Sequence, residues 1–560
     1  MRLLPVLVVL SLGVAQPVRA DKRLDEAVAK AEAQLAKGKP DEAVKILEKA
    51  VSRSPRDPEA PLALARLFLR FGRLDEAGAA LAKAGDLAAS APPTVRARVL
   101  AARSDFALRT GPVHEAMELA RRAVEAEPAA GSLTALARAQ ARAGDPGAVA
   151  TASEATRAAP DSAAAWIASG DASFAARLAP QAEAAYRRAS ELEPRSADAL
   201  TGLARALAAQ EKAKDALEAA RGATQADPHS AEALAAVGFA ALAGDPRDTN
   251  GEAISAVQQA SFLQPENAFV KLEVGRVFER REQLDQAAAA YEQAATLDPT
   301  WAAPRVAALE LRLRSGDPEA TLAGLRALPE DMKVTGDAAF LLGRVLLQTG
   351  DKAGARTALD LAVAALPGLA EAHAARGDAA DALGEGTLAA DAYGRAAGLA
   401  PANGGYRSRY GVLLARDGRL DEALAALLEV TSLPEGQAPA TLIDLGWVYR
   451  SFKPPRVEDA VAAYQRALEL DPKNGEAALG VAESYRAGQQ WARAIDAYER
   501  VPEVDRRREG EALLGVAWCY CRRHELDRAR FYAGLAARAG AKMRELRAAL
   551  SRSCGASQDR

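Results

Sequence analysis

Apolar and small residues recur along this chain with two nested periods. Over short stretches they keep helical spacing, and over longer ones the whole pattern returns about every 34 residues. The segment Ala163 to Pro194 carries Trp166, Gly170, Ala182, Tyr186, Ala189 and Pro194. In the same register, Ala197 to Pro228 carries Leu203, Ala204, Leu207, Ala216, Ala220, Ala223 and Pro228. A third copy, Ala268 to Pro299, carries Val274, Gly275, Phe278, Ala287, Tyr291, Ala294 and Pro299. With Ala163 as position 1, small residues fall at 8, 20 and 27, a larger one often at 24, and Pro at 32. Apolar positions 4, 7, 8 and 11, as in Leu442, Leu445, Gly446 and Tyr449, predict a first amphipathic helix. Positions 20, 24 and 27, as in Ala460, Tyr464 and Ala467, predict a second. Small residues at 8 and 20 let the two backbones approach, and the bulkier side chain at 24 fills the space beside them.

The helix ends are also written locally. Pro55, Pro128, Pro194, Pro228, Pro265, Pro299, Pro367, Pro401 and Pro472 stop second helices, because Pro breaks the hydrogen-bond ladder. Two residues after many of them stands a capping residue: Asp57, Ser196, Ser230, Asn267, Asn403 or Asn474. Gly38, Gly72, Gly111, Gly350, Gly384 and Gly418 mark the inner turns. About 15 units are expected. Their position-20 residues are Ala43, Ala77, Ala116, Ala148, Ala182, Ala216, Ala253, Ala287, Ala320, Ala355, Ala389, Ala423, Ala460, Ala494 and Ala529. The units ending at Pro160 and Pro329 are short and lack aromatic filling. Small insertions fall near Asp248–Gly251 and Lys453–Arg456, and Pro329–Gly336 is the expected break in stacking. Nothing in the pattern indicates an independent second domain.

A period of 34 with this residue pattern resembles the tetratricopeptide repeat (TPR). The resemblance covers Leu24 to Gly540 and implies an all-α fold, a right-handed superhelical solenoid of helix-turn-helix units. It also implies that first helices line a concave groove that binds protein partners or peptide segments, with positions 2, 5, 9, 12 and 13 facing it. Position 9 is Arg66, Arg205, Arg276 and Arg344 in some units and Asp171 and Asp378 in others. The paired Asn residues of the family's carboxylate clamp are missing, so that clamp is not expected. The resemblance implies a non-enzymatic interaction scaffold or assembly factor, placed by the N-terminus in a bacterial cell envelope. The alternative is an accessory of a polysaccharide synthesis or export system. Such accessories usually work with an outer-membrane barrel, and no barrel-like alternation is present.

The candidate partner site lies in the last three units. Position 5 is Ile443, Leu479 and Leu514, and position 9 is Trp447, Glu483 and Trp518. Family geometry puts both rows on the concave side, as an apolar strip with two Trp flanking an acid. Arg450, Arg486 and Arg522 follow at positions 12 or 13 and are available to an acidic partner segment. Large aromatics in a groove make good anchors, because they bury much area with little entropy to lose. The competing reading has each Trp folding onto the neighbouring helix and thickening the wall.

The N-terminus adds a location. Arg2, an apolar run from Leu3 to Val14, and Val18-Arg19-Ala20 form the layout of a secretory signal peptide. The expected organisation is residues 1–20 as signal, 21–540 as solenoid, and 541–560 as a capping helix and tail. In that tail Met543, Leu546 and Leu550 would share one side. The expected location is periplasmic or secreted. Cleavage after Ala20 removes Arg2 and Arg19 and takes the net charge from −3 to −5. That charge, with no Lys/Arg cluster, argues against nucleic acid.

The search for chemistry returns little. His114, His229, His373 and His524 stand in different repeats, and His373 occupies a packing position. Cys519, Cys521 and His524 form the one weak metal candidate, so no metal or cofactor is expected. Cys519 and Cys521 sit two apart on a predicted helix, so they point to different faces and cannot bridge each other. The favoured reading makes Cys519 a core residue and leaves Cys521 and Cys554 free or engaged elsewhere; a Cys554 link to one of the pair is the alternative.

Overall fold

The computed structural model describes residues 22–37, 39–431 and 438–540. The signal peptide expected at 1–20, Gly38 and the capping segment expected at 541–560 lie outside the described residues. Within them are 31 α-helices, one three-residue 3-10 turn and no strand. Setting aside the four-residue helix Glu330–Lys333, the other 30 fall into fifteen successive pairs. The fold is therefore an all-α solenoid with the unit count that the 34-residue period predicts.

The local signals act as read. Ser196, Ser230, Asn267, Asn403 and Asn474 each accept a backbone N–H at the start of the following helix, and Asp57 accepts from Glu59 N at 2.9 Å. Most inner turns take a left-handed residue at position 15. Gly72, Gly350, Gly384 and Gly418 supply it, whereas Gly111 is extended (φ −129°, ψ −169°). Arg177, Glu211, Glu282, Gln489 and His524 adopt the same conformation with φ of 59–63°. The turn is thus set by the helices it joins and tolerates the steric cost of a side chain. His524 is one of these turn residues.

Packing at the pair interface explains the small residues. Fourteen of the fifteen position-20 alanines are buried, most at 0% exposure. The exception corrects the register: Ala320 is half-buried, and Thr321 at 0% takes its place with Leu325 behind it. The residue at position 24 then clamps two helices. A Cβ added at Gly170 or Gly202 would come within 2.5 Å or 2.1 Å of the Tyr186 ring. At Gly446 and Gly480 it would meet Tyr464 at 2.8 Å and 2.4 Å, and at Gly515 it would meet Tyr498 at 2.4 Å. Position 24 therefore packs on position 8 of its own unit and position 6 of the next. The position-6 glycines are a constraint that the sequence pattern shows only once this contact is known.

The chain divides into two compact units. One comprises residues up to Ser315 with Pro329–Thr335, the other Gly316–Leu328 with everything from Gly336 onward. The division cuts the ninth pair, so that Ala302–Arg314 falls in the first unit and Pro318–Arg326 in the second. The sequence gives no hint of a second body because the repeat register passes through. The helix Pro318–Arg326 has nine residues, a shifted stripe and no aromatic, and it packs on Gly336–Thr349.

The cysteines differ from the favoured reading in one respect. Cys519 is a free, buried thiol, and burial pushes its pKa up to about 11. Cys521 is not free but disulfide-bonded. Residue 554 lies outside the described residues.

Candidate functional site

In the first unit the positions expected on the concave side satisfy one another. Arg138, at position 9, is 17% exposed and reaches Asp105 at 3.1 Å, Asp171 at 3.2 Å and Asp198 at 3.5 Å. Arg109 also holds Asp198, at 2.8 Å. Arg142 pairs with Glu232 at 3.0 Å and lies 3.8 Å from the centre of the Phe269 ring. Glu273, 1% exposed, takes Arg276 at 2.6 Å and Arg205 at 3.4 Å. Burial alone would raise the Asp198 and Glu273 carboxyls, but the arginines outweigh it and hold both below the usual carboxylate range.

The first unit also joins helices far apart in sequence. Asn267 caps its own helix through Oδ1 and donates through Nδ2 to the Arg109 carbonyl at 2.7 Å. Val113 N donates to Asp298 at 2.8 Å, and Trp301 Nε1 donates to the Arg142 carbonyl at 2.9 Å. Residues read as simple caps and turn formers thus close contacts across more than 150 residues of chain. A cavity of about 430 Å³ remains beside Phe239, Arg276 and Arg280.

Asp171 and Asp378, read as groove charges, have a local task. They accept the hydroxyls of Tyr186 and Tyr393, at position 24 of their own units. Burial and these carboxylates together keep both phenols protonated well above their ordinary range.

In the second unit the inner rows also pair, Arg409 and Arg416 with Asp381. The expected strip maps as follows. Ile443 and Trp447, on Pro439–Ser451, are half-buried, Trp447 against the cluster of Leu413, Leu414 and Leu445. Leu479, on Gly475–Ala487, is buried in the core and backs the strip. Leu514 is half-buried against Ala517 and Ala533. Trp518, on Glu509–Arg522, lies 5.5 Å from the Trp491 ring centre and has the Arg486 and Arg522 guanidiniums at 5.1 Å and 5.8 Å. Trp491 is a neighbour that the strip pattern does not anticipate, because it opens a second helix.

The structure also revises the arginines. Arg450 is ion-paired with Glu483, which has Arg486 at 3.8 Å on its other side. Arg450 and Arg486 are therefore engaged internally. Arg522 is the exposed one of the three. The two Trp sit in different clusters, with the Arg450–Glu483 pair on the helices between them.

Outside the expected strip, a cavity of about 760 Å³ opens between Gly404–Arg416 and Pro439–Ser451. Ser408, Arg409, Val412, Arg416, Thr441 and Asp444 line it, with the Asn403 cap at its edge. Among the described residues no group of three or more His, Cys, Asp or Glu has metal-site geometry, and no helix is long and apolar enough to cross a membrane.

Profiles described as tetratricopeptide repeat match residues 34–97 and 456–514, and a second set of the same description matches 168–231, 247–300, 307–370 and 374–438. No curated protein matches the chain. Among solved structures, it is similar to the APC/C hetero-tetramer Cut9–Hcn1, with TM-score 0.45 and 15% identity over 95% of this chain and 96% of that one. It is similar to Naa15/Naa10 bound to HypK-THB, with TM-score 0.32 and 13% identity over 95% and 96%. The Pseudomonas aeruginosa pilF structure aligns with TM-score 0.30 and 23% identity over 39% of this chain and 97% of that one.

Proposed function

The chain belongs to the tetratricopeptide repeat family, whose fold serves as a protein-interaction scaffold, and on that premise we propose that it captures a partner segment along the inner rows of its second unit. One observation carries this reading. Both units pair inner-row charges internally, and the first keeps a cavity of about 430 Å³ beside Phe239 and Arg276, whereas the second keeps one of about 760 Å³ and two half-buried tryptophans. Trp447 and Trp518 offer large, already ordered rings, so a partner gains area without paying much entropy. Arg522, exposed and beside Trp518, lines the same surface.

The test is capture of the native partner from cell extract by the full chain, compared with the Trp447→Ala/Trp518→Ala variant. The variant is expected to bind at least roughly 2 kcal/mol more weakly if both rings are hot spots. Unchanged capture by a folded double variant rules the site out.

We also propose that the protein works in a bacterial cell envelope, as an exported, non-enzymatic assembly factor. The apolar run Leu3 to Val14 with Val18 and Ala20 supports export. Sequencing the mature protein is expected to give Asp21 as the first residue. An intact Met1 form in the cytoplasm overturns this location.

A further inference from the structure

Position 6 of the repeat carries a second message. Below Tyr186, Tyr464 and Tyr498 at position 24 of the preceding unit, position 6 is Gly202, Gly480 and Gly515. Three units instead place an ionisable residue there: Glu273, Arg409 and Asp444. Two of these are answered from within the chain. Glu273 is ion-paired with Arg205 and Arg276. Arg409 is paired with Asp381 at 2.7 Å. Asp444 is not answered in this way.

Asp444 is half-buried on the wall of the 760 Å³ cavity. Its contact there is the Ser408 hydroxyl, which donates to Oδ2 at 3.0 Å. Among the described residues no Lys, Arg or His lies within ion-pair distance of it. A hydroxyl offsets only part of the cost of desolvating a carboxylate, and the usual complement is a cation. Burial, followed by the nearby Glu476 carboxylate, pushes the Asp444 carboxyl above its ordinary range, while Ser408, Arg409 and Arg416 pull the other way. Those two arginines already share Asp381, at 2.7 Å and 3.4 Å. The ionisable groups lining the cavity are Arg409, Arg416 and Asp444. Both arginines are committed to Asp381, so Asp444 is the lining charge without an ion pair.

We propose that the cavity receives a Lys or Arg side chain of the partner segment, seated on Asp444. The inference rests on the reading of the second unit as the capture surface, and it specifies that partner's chemistry. The cation completes an ion pair that the fold leaves open, and Ser408 orients the carboxylate. Asp444 shares the helix Pro439–Ser451 with Ile443 and Trp447, so the basic residue and the apolar contacts of one segment meet the same helix.

The probe is a phage-displayed random heptapeptide library panned on the full chain. Wild-type protein is expected to select peptides with Lys or Arg at one fixed position. Asp444→Asn keeps the size and an acceptor for Ser408. It is expected to lose that preference, to bind the wild-type-selected peptides about tenfold or more weakly, and to melt like the wild type. Asp444→Lys is expected to invert the preference towards Asp or Glu. If selected peptides show no basic preference, or bind Asp444→Asn as well as wild type, the proposal is overturned. Such peptides are then tested on the Trp447→Ala/Trp518→Ala variant. Loss of binding there leaves the capture surface standing without the basic contact. Retained binding, or a library that yields no binder, overturns both.

Discussion

Truncating Tyr464 to Ala is expected to destabilise the helices Pro439–Ser451 to Gly475–Ala487 by about 3–5 kcal/mol, the range for large aromatics removed from a core. The ring is 3% exposed and fills the space between three helices. It lies over Gly446 of its own unit and Gly480 of the next, so tightly that a methyl group at either would collide with it. Both glycines lack a side chain that could move into the void, so the cavity stays open and the cost sits at the upper end. Each repeat touches mainly its neighbours, so the loss is local and a single global midpoint underestimates it. Amide hydrogen exchange is the appropriate measurement. Protection within residues 439–487 should fall while that of the first unit is unchanged. Tyr464→Phe retains the ring and should leave protection almost intact. Equal protection in Tyr464→Ala and wild type would contradict the packing role.

The second large effect is expected in the first unit. Arg138→Ala removes one cation from three carboxylates, Asp105, Asp171 and Asp198. Breaking a fully buried pair by deleting one partner typically costs about 3–5 kcal/mol. Asp105, Asp171 and Asp198 are 29–36% exposed and water meets part of their charge, so the loss here should fall below that range. Arg109 still holds Asp198, which moderates the loss. Replacing Arg138 together with its acids by apolar residues could be close to neutral, which separates the value of the network from the cost of breaking it.

The same cluster sets an acid dependence. Asp198 and Glu273 have folded-state pKa values below their unfolded ones. Between the two values the unfolded chain binds more protons. This contribution to stability is therefore complete above the unfolded pKa, about 4, and is lost as pH falls through the folded pKa. Urea titrations of the wild type should show first-unit stability falling below about pH 4. In Arg138→Ala the Asp198 part of that slope should shrink, since one of the cations depressing its pKa is gone. An unchanged slope would place Asp198 outside the network's energetics.

His373 adds a smaller effect of the same sign. Burial lowers its pKa, with the Pro367 carbonyl at 3.1 Å from Nε2 opposing. The fold therefore favours the neutral ring, and protonation on acidification costs stability. This agrees with the packing role that its repeat position implies.

What the sequence determined is everything written within one helix pair. Small residues at 8, 20 and 27, Pro at 32 and a cap two residues later are local requirements. Close backbone approach, chain termination and free N–H groups each demand a particular residue type. The helix count, the caps and the buried alanines follow from them, and the register slips only at Ala320, where Thr321 is the buried residue. The tertiary structure decided what happens between pairs. Position 6 acquires meaning only from the ring at position 24 of the preceding unit. The groove charges Asp171 and Asp378 turn out to hold tyrosine hydroxyls, and Arg450 to hold Glu483. Asn267, Asp298 and Trp301 look like ordinary caps and turn residues, yet they close contacts with residues Arg109, Val113 and Arg142. A repeat pattern records each unit's fit to its neighbours. The small rotation from unit to unit decides which distant residues meet, and it accumulates from many side-chain volumes with no motif of its own.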